Sequence, residues 1–400
     1  MSTSKLNYNH TIYACFIGYV VQAVNNNFAP LLFLYFQKDF DLSINHIAMI
    51  TVINFLIQLL VDLVSTRFLD FIGYRASAIL AHVTAACGLA GLAFFPFWFS
   101  NPFIGILLAV ALYAVGGGIL EVLISPIVEA CPTERKEAAM SLSHSFYCWG
   151  FAGTVLLSSL FFYFFGIENW RILACLWAVV PLLNIILFAR VPIAKFGENE
   201  GHTLGMRKLL TNPRFLLLAA IMVLSGASEQ ASSQWASVYA ESVLHMPKVI
   251  GDLAGPLLFA VTMGLTRVYY GKFSEKLKLD NAIPLSAVLC IIGYLMISLT
   301  NNAIVGFIGL GLSGISVAIF WPGTLSTAAK HIPGGGTALF AFLALAGDLG
   351  CASGPALVGF VSEAFHDNLQ IGLLAAVICP ILLFVAFTIF KRMQKKIVEV

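Results

Sequence analysis

The chain has 400 residues, 59% of them hydrophobic and 10% charged, and its mean hydropathy is +0.90. Soluble domains carry about 25% charged residues, so the composition excludes a soluble fold and predicts an integral membrane protein. A net charge of +2, with the basic residues in short loops, excludes nucleic acid as a partner.

Runs of about 20 apolar residues are long enough to cross a bilayer. They fall roughly at 11–36, 44–66, 76–99, 103–131, 138–165, 170–190, 213–243, 249–271, 282–300, 303–329, 336–362 and 369–391. The fold class expected is therefore an all-α membrane protein of twelve transmembrane helices in two pseudo-symmetric six-helix halves. Residues 1–190 form the first bundle, the polar stretch 191–212 a cytoplasmic linker, and 213–400 the second bundle. The eight cysteines all sit within or beside apolar runs without metal-ligand spacing. They read as reduced packing residues, and no metal site, disulfide or cofactor is expected.

Basic residues fix the expected orientation. With both termini in the cytoplasm, Arg67, Arg75, Arg135, Lys136, Arg190, Arg207, Lys208, Lys272, Lys276, Lys330, Lys391 and Arg392 all lie inside. The outer side keeps Lys38, Arg171 and Lys248, and Arg267 alone falls within the membrane. A cell-membrane, multi-pass location follows.

The first span carries Asn25 and Asn26, and the second carries Asp62 and ends in DLVSTRFLDFIGYR. A shift of 205 residues superposes that segment on RVYYGKFSEKLKLD, so that Asp70 meets Glu275 and Asp62 meets Arg267. Two repeated halves of this kind place a solute path between them, opened to each side in turn. Asp62 and Arg267, at equivalent depths, are expected to pair if the halves approach on the cytoplasmic side. Asp70, Arg75 and Glu275 read as charges of a cytoplasmic gate.

The fourth span contains GGGILEVLISPIVEACP, with Glu121 and Glu129 in an apolar run. A carboxylate at membrane depth costs at least about 2.5–3.5 kcal/mol, so such residues face a cavity or a partner and mark function. Glu121 lies about eighteen residues in from the outer end of its helix, around or somewhat beyond the middle of the bilayer. It is the expected proton-coupling residue. Glu129, two turns nearer the cytoplasm and close to Arg135, is expected to pair with Arg75 or Arg135 at an inner gate. The fifth span offers His144 and Trp149 in SLSHSFYCWG; His144 can serve as a hydrogen-bonding group or a second titrating one.

The seventh span, SGASEQASSQWASVY, is the most polar membrane segment. Glu229, Gln230 and Gln234 offer groups that hydrogen-bond hydroxyls, and Trp235 offers an aromatic face for a sugar ring. Trp321 in FWPG and Asp348 in AGDLG complete the candidates at membrane depth, although Asp348 can equally serve helix packing. Nothing matches GxxxxGK[ST], so ATP is not an expected partner.

Thr66, Asp70, Gly73, Tyr74 and Arg75 follow the pattern G-x-x-x-D-x-x-G-[RK]-[RK] with the first Gly and one basic residue replaced. In this the whole chain resembles the major facilitator superfamily. Gly118-Ile-Leu-Glu121-Val-Leu-Ile-Ser125-Pro126 is similar to the G-x-L-E-x-x-x-N-P of the fucose permease branch, and Leu142-Ser-His144-Ser145-Phe146 to that branch's L-x-Q-[ST]-F. The resemblance implies that Glu121 and Ser125 belong to a sugar site coupled to protons, and that His144 lines the cavity. Where the branch has an acid in the first span, this chain has Pro30. The implied function is a secondary transporter of a small polar solute, a monosaccharide or related polyol, by proton symport. A uniporter of the same solute and a proton-coupled exporter of amphipathic compounds are the alternatives.

Overall fold

The structure, a computed structural model, describes residues 6–132, 136–193, 206–273, 279–332 and 336–398. Among these residues the secondary structure is helical, and the helices fall into twelve spans. Inside a bilayer every backbone polar group has to be satisfied within the segment, which leaves the helix as the form such apolar runs take. Asparagines start many of them. Asn7 caps Tyr8–Asn27 in a capping box with His10, while Asn101, Asn212, Asn302 and Asn368 each accept a backbone N–H at the first turn of their helices. Pro102 and Pro213 follow two of these caps, where a missing N–H costs nothing.

Among the described residues, eleven helices are long and apolar enough to cross a membrane by length and composition. The first span is the remaining one. Its polar residues, Gln22 and Asn25–Asn27, dilute its hydropathy, and it breaks after Asn27 into the 3-10 turn Ala29–Leu32 before continuing as Phe33–Asp39. Pro30 explains the break, since it lacks an N–H and clashes with the preceding turn.

The second to sixth spans are Ile44–Ile72, Tyr74–Phe94, Pro102–Ala130, Lys136–Phe165 and Trp170–Arg190. Gly73 separates the second and third with φ +80°, a conformation that favours glycine. The seventh runs as Pro213–Ser233, breaks at Gln234 and Trp235, and ends in the π-helical turn Tyr239–Val243. The eighth begins at Lys248–Asp252, passes through a second π-helical turn, Leu253–Leu257, and continues as Leu258–Phe273. Leu279–Ser298 is the ninth span, and the tenth is split into Ala303–Val317 and Phe320–His331. Gly336–Ala364 is the eleventh, and Leu369–Ala376 with Ile378–Val398 the twelfth.

Contacts divide the chain into two units, one of Met1–Leu42 with Leu56–Glu198 and one of Ser43–Phe55 with Asn199–Val400. The beginning of the second span thus groups with the later half of the chain rather than with residues 1–190. In the second unit Ala48 lies against Gly359, and Thr51 donates to Gln234 Oε1 at 3.2 Å. Of the linker, residues 194–205 lie outside the described residues, while Met206–Leu210 forms a short helix.

In the first unit, Ala14, Tyr19, Ala78, Ala81, Leu120, Leu123, Ile124 and Phe188 form the centre of the apolar core. In the second, the seventh and eleventh spans lie backbone to backbone. A Cβ at Gly350 would stand 1.9 Å from the Val223 carbonyl oxygen, so only glycine permits this approach. Leu63, Leu157, Phe164, Leu183 and Ile304 are exposed on the outside, as a lipid-facing surface requires.

Candidate functional site

The first unit contains a lane of polar side chains. Gln22 and Asn26 lie one helical turn apart on the first span, and both are buried. Gln22 Nε2 donates to Glu121 Oε2 at 2.8 Å. Asn26 donates to the Tyr147 hydroxyl at 3.3 Å and accepts from Gln58 Nε2 at 3.0 Å, tying the first, second and fifth spans together. One turn beyond Gln58, a carboxylate oxygen of buried Asp62 comes within 4.8 Å of one on Glu121. Close helix approach allows this meeting, because a Cβ on Gly118 would stand 3.1 Å from the Gln58 backbone. The lane continues at Tyr19, whose hydroxyl is 3.4 Å from His144 Nε2.

Asn25 faces elsewhere. Its Nδ2 donates to the Tyr113 carbonyl at 3.1 Å, and its Oδ1 is buried without a hydrogen-bond partner among the described residues. Trp149 is 40% exposed. Arg75, expected at a gate, closes a helix end: its guanidinium donates to the carbonyls of Phe188 at 2.7 Å and Val191 at 2.8 Å. Those carbonyls belong to the last turn of the sixth span, where helix geometry leaves acceptors unmatched and favours a cation. Arg135 and Glu275 lie outside the described residues, as do the side chains of Asp70, Ser125 and Glu129.

A second lane runs through the other unit. Gln230 Nε2 reaches Glu229 Oε1 at 3.5 Å, Gln234 Nε2 donates to Gln230 Oε1 at 3.0 Å, and Thr51 donates to Gln234. Arg267 Nη2 lies 3.5 Å from Glu229 Oε2, and its Nε donates to the Ala318 carbonyl at 3.3 Å. The break in the tenth span at Ala318 and Ile319 releases that carbonyl from the helix ladder. The reading that paired Asp62 with Arg267 thus gains a neighbour for each inside its own unit, Glu121 for the first and Glu229 for the second.

Trp235 is the residue expected to offer an aromatic face. It is 1% exposed, its indole Nε1 donates to the Pro355 carbonyl at 3.2 Å, and Gly359 packs beside the ring. The ring joins the seventh and eleventh spans. Trp321 is half-buried and lies on Gly347, where a Cβ would meet the ring at 2.4 Å. Next to Gly347 in sequence, Asp348 is 2% exposed.

Sequence reasoning overlooked Gln22, Gln58, Thr51 and Tyr147. Gln22 carried a signal, since Tyr19, Gln22 and Asn26 recur at helical spacing on one face. It also overlooked a partly buried ionic cluster. Lys248 Nζ lies 2.9 Å from Glu241 Oε1 and 3.0 Å from Asp252 Oδ2, and Ser237 donates to Asp252 Oδ1 at 2.5 Å.

The sequence pattern of the Major Facilitator Superfamily matches residues 14–355. The chain belongs to the Major Facilitator Superfamily. Its twelve-helix fold is that of the superfamily, and its activity is that of a transporter rather than an enzyme. Comparison with curated proteins gives no match. Among solved structures, it is similar to the nucleoside transporter NupG at 14% identity and TM-score 0.76, over 96% of this chain and 99% of that one. The xylose transporter XylE of E. coli is similar at 14% identity and TM-score 0.77, over 94% and 96%. The E. coli fucose:proton symporter FucP gives 16% identity and TM-score 0.66, over 96% and 99%. At such identities these likenesses show the superfamily fold.

Proposed function

We propose that the protein is a secondary active transporter that carries a small polar solute, a monosaccharide or related polyol, by alternating access together with a proton. The observation that carries this reading is the 2.8 Å bond from Gln22 to Glu121, in a lane that also holds Asn26, Gln58 and Tyr147. Amides, a phenol and a carboxyl group set in an apolar bundle supply donors and acceptors matched to the hydroxyls of a sugar. A carboxyl group there can take up a proton from one side and release it when water reaches it from the other, which is what coupling needs. The similarity to structures named for fucose:proton symport and xylose transport agrees with this choice of solute. Both termini are placed in the cytoplasm, on the distribution of lysine and arginine.

The test is uptake into proteoliposomes with and without an inward proton gradient. Glu121→Gln is expected to retain exchange of solute across the membrane and to lose accumulation driven by the gradient. Undiminished accumulation in the variant would overturn the coupling role, and a wild type that equilibrates solute without responding to the gradient would show a uniporter.

A further inference from the structure

Glu229 and Arg267 form an ion pair deep in the second unit, at 3.5 Å, with side chains 7% and 20% exposed. Glu229 Oε2 accepts no hydrogen bond among the described residues, so its stabilisation comes from the guanidinium. Such a pair is neutral as a whole, and removing one charge leaves the other buried and uncompensated at a cost of several kcal/mol.

We propose that Arg267 recognises an acidic solute, a sugar acid of the hexuronate class, and that Glu229 holds the place of the solute's carboxylate until it arrives. This rests on the sugar-transport reading above and narrows it. The solute carboxylate takes the guanidinium, whose planar fork suits a carboxylate, and Glu229 takes up a proton as it is released. The site therefore passes from a neutral ion pair to a neutral complex, with one negative charge and one proton having entered together. No net charge is buried at either stage. A neutral hexose offers no carboxylate to replace Glu229 on Arg267, so the pair supplies selectivity between the two.

The side chains around Glu229 are consistent with this exchange. Arg267 from the eighth span lies against it, and Tyr294 of the ninth donates its hydroxyl to the neighbouring Ser228 carbonyl at 2.7 Å; the eleventh span, which packs on the seventh, carries the buried Asp348. Lys330 and His331 on the tenth span and Lys391 and Arg392 on the twelfth stand towards helix ends. Gln230, Gln234 and Thr51 extend from the acid as a chain of amide and hydroxyl groups, and these fit the remaining hydroxyls of the same solute.

The experiment measures binding of glucuronate and of glucose to the purified full-length protein at pH 5.5 and 7.5, by thermal shift and by calorimetry, for wild type, Arg267→Gln and Glu229→Gln. Wild type is expected to bind glucuronate more tightly than glucose, and more tightly at the lower pH. Arg267→Gln is expected to lose about tenfold or more in glucuronate affinity. Glu229→Gln, which mimics the protonated acid, is expected to be less stable when empty and to bind glucuronate at pH 7.5 more tightly than wild type does. That gain cannot come from a damaged fold, so the inference stays testable if Arg267→Gln fails to fold. Preference for glucose in wild type, or weaker glucuronate binding in Glu229→Gln, would overturn the inference and leave the sugar-transport reading standing. Binding of neither sugar would overturn both.

Discussion

Gln22 and Glu121 meet at 2.8 Å, an amide on the first span donating to a carboxyl oxygen on the fourth. The bond is one of the contacts that orient the acid, whose carboxylate also stands within 4.8 Å of that of Asp62. A hydrogen bond to a charged group contributes about 1.5–3 kcal/mol. Gln22→Leu is therefore expected to lower solute uptake by about tenfold while leaving the protein folded. Uptake at wild-type rates, in a sample whose melting temperature is unchanged, would show that the bond does not position the acid.

Arg75 closes the sixth span through the carbonyls of Phe188 and Val191. Replacing it with Leu removes both donors, and the expected loss is about 1.5–3 kcal/mol of stability. Arg75→Lys is expected to recover part of that loss, because an ammonium supplies the charge without the planar fork that spans two acceptors. Thermal unfolding in detergent checks the order: wild type, then Lys, then Leu.

The cluster at Lys248 gives a larger expected effect. Its ammonium sits between Glu241 and Asp252, so Lys248→Met leaves a buried carboxylate facing a partly exposed one without a cation between them. Breaking a fully buried pair costs about 3–5 kcal/mol, and with Lys248 and Glu241 partly exposed the lower end of that range is expected. Adding Glu241→Gln and Asp252→Asn to Lys248→Met is expected to restore most of the stability. A triple variant no more stable than the single one would mean that the lysine acts through its packing instead of its charge.

Gly350 and Gly153 make a matched pair for testing helix approach. Gly350→Ala places a Cβ against the Val223 carbonyl, whereas a Cβ at Gly153 meets nothing within 4 Å. Overpacking of this kind costs about 1–3 kcal/mol or more. Gly350→Ala is expected to lower the melting temperature sharply and Gly153→Ala to leave it unchanged or slightly raised.

Much of this was readable from the order of residues. Hydropathy runs of the length a bilayer demands gave the spans, and an aspartate and an arginine near Gly73, in a degenerate copy of a known pattern, gave the superfamily. Glu121, Gln230 and Gln234 stood out because polar groups at membrane depth are costly and so rarely idle. The break in the first span was not anticipated: the run 11–36 reads as one span by hydropathy, and only the structure shows the helix ending at Asn27 ahead of Pro30.

What the sequence by itself determined is therefore the membrane class, the twelve-helix plan and the few polar residues worth attention, because those follow from local composition and from periodicity along one helix. Partners were decided only by the tertiary structure. Arg267 sits with Glu229, Asp62 comes close to Glu121, Arg75 serves a helix end, and Trp235 is sealed against Pro355. The physical reason is that each of these relations joins side chains from different helices. Which faces meet depends on how closely the backbones can approach at positions such as Gly118 and Gly350, and no single helix carries that information.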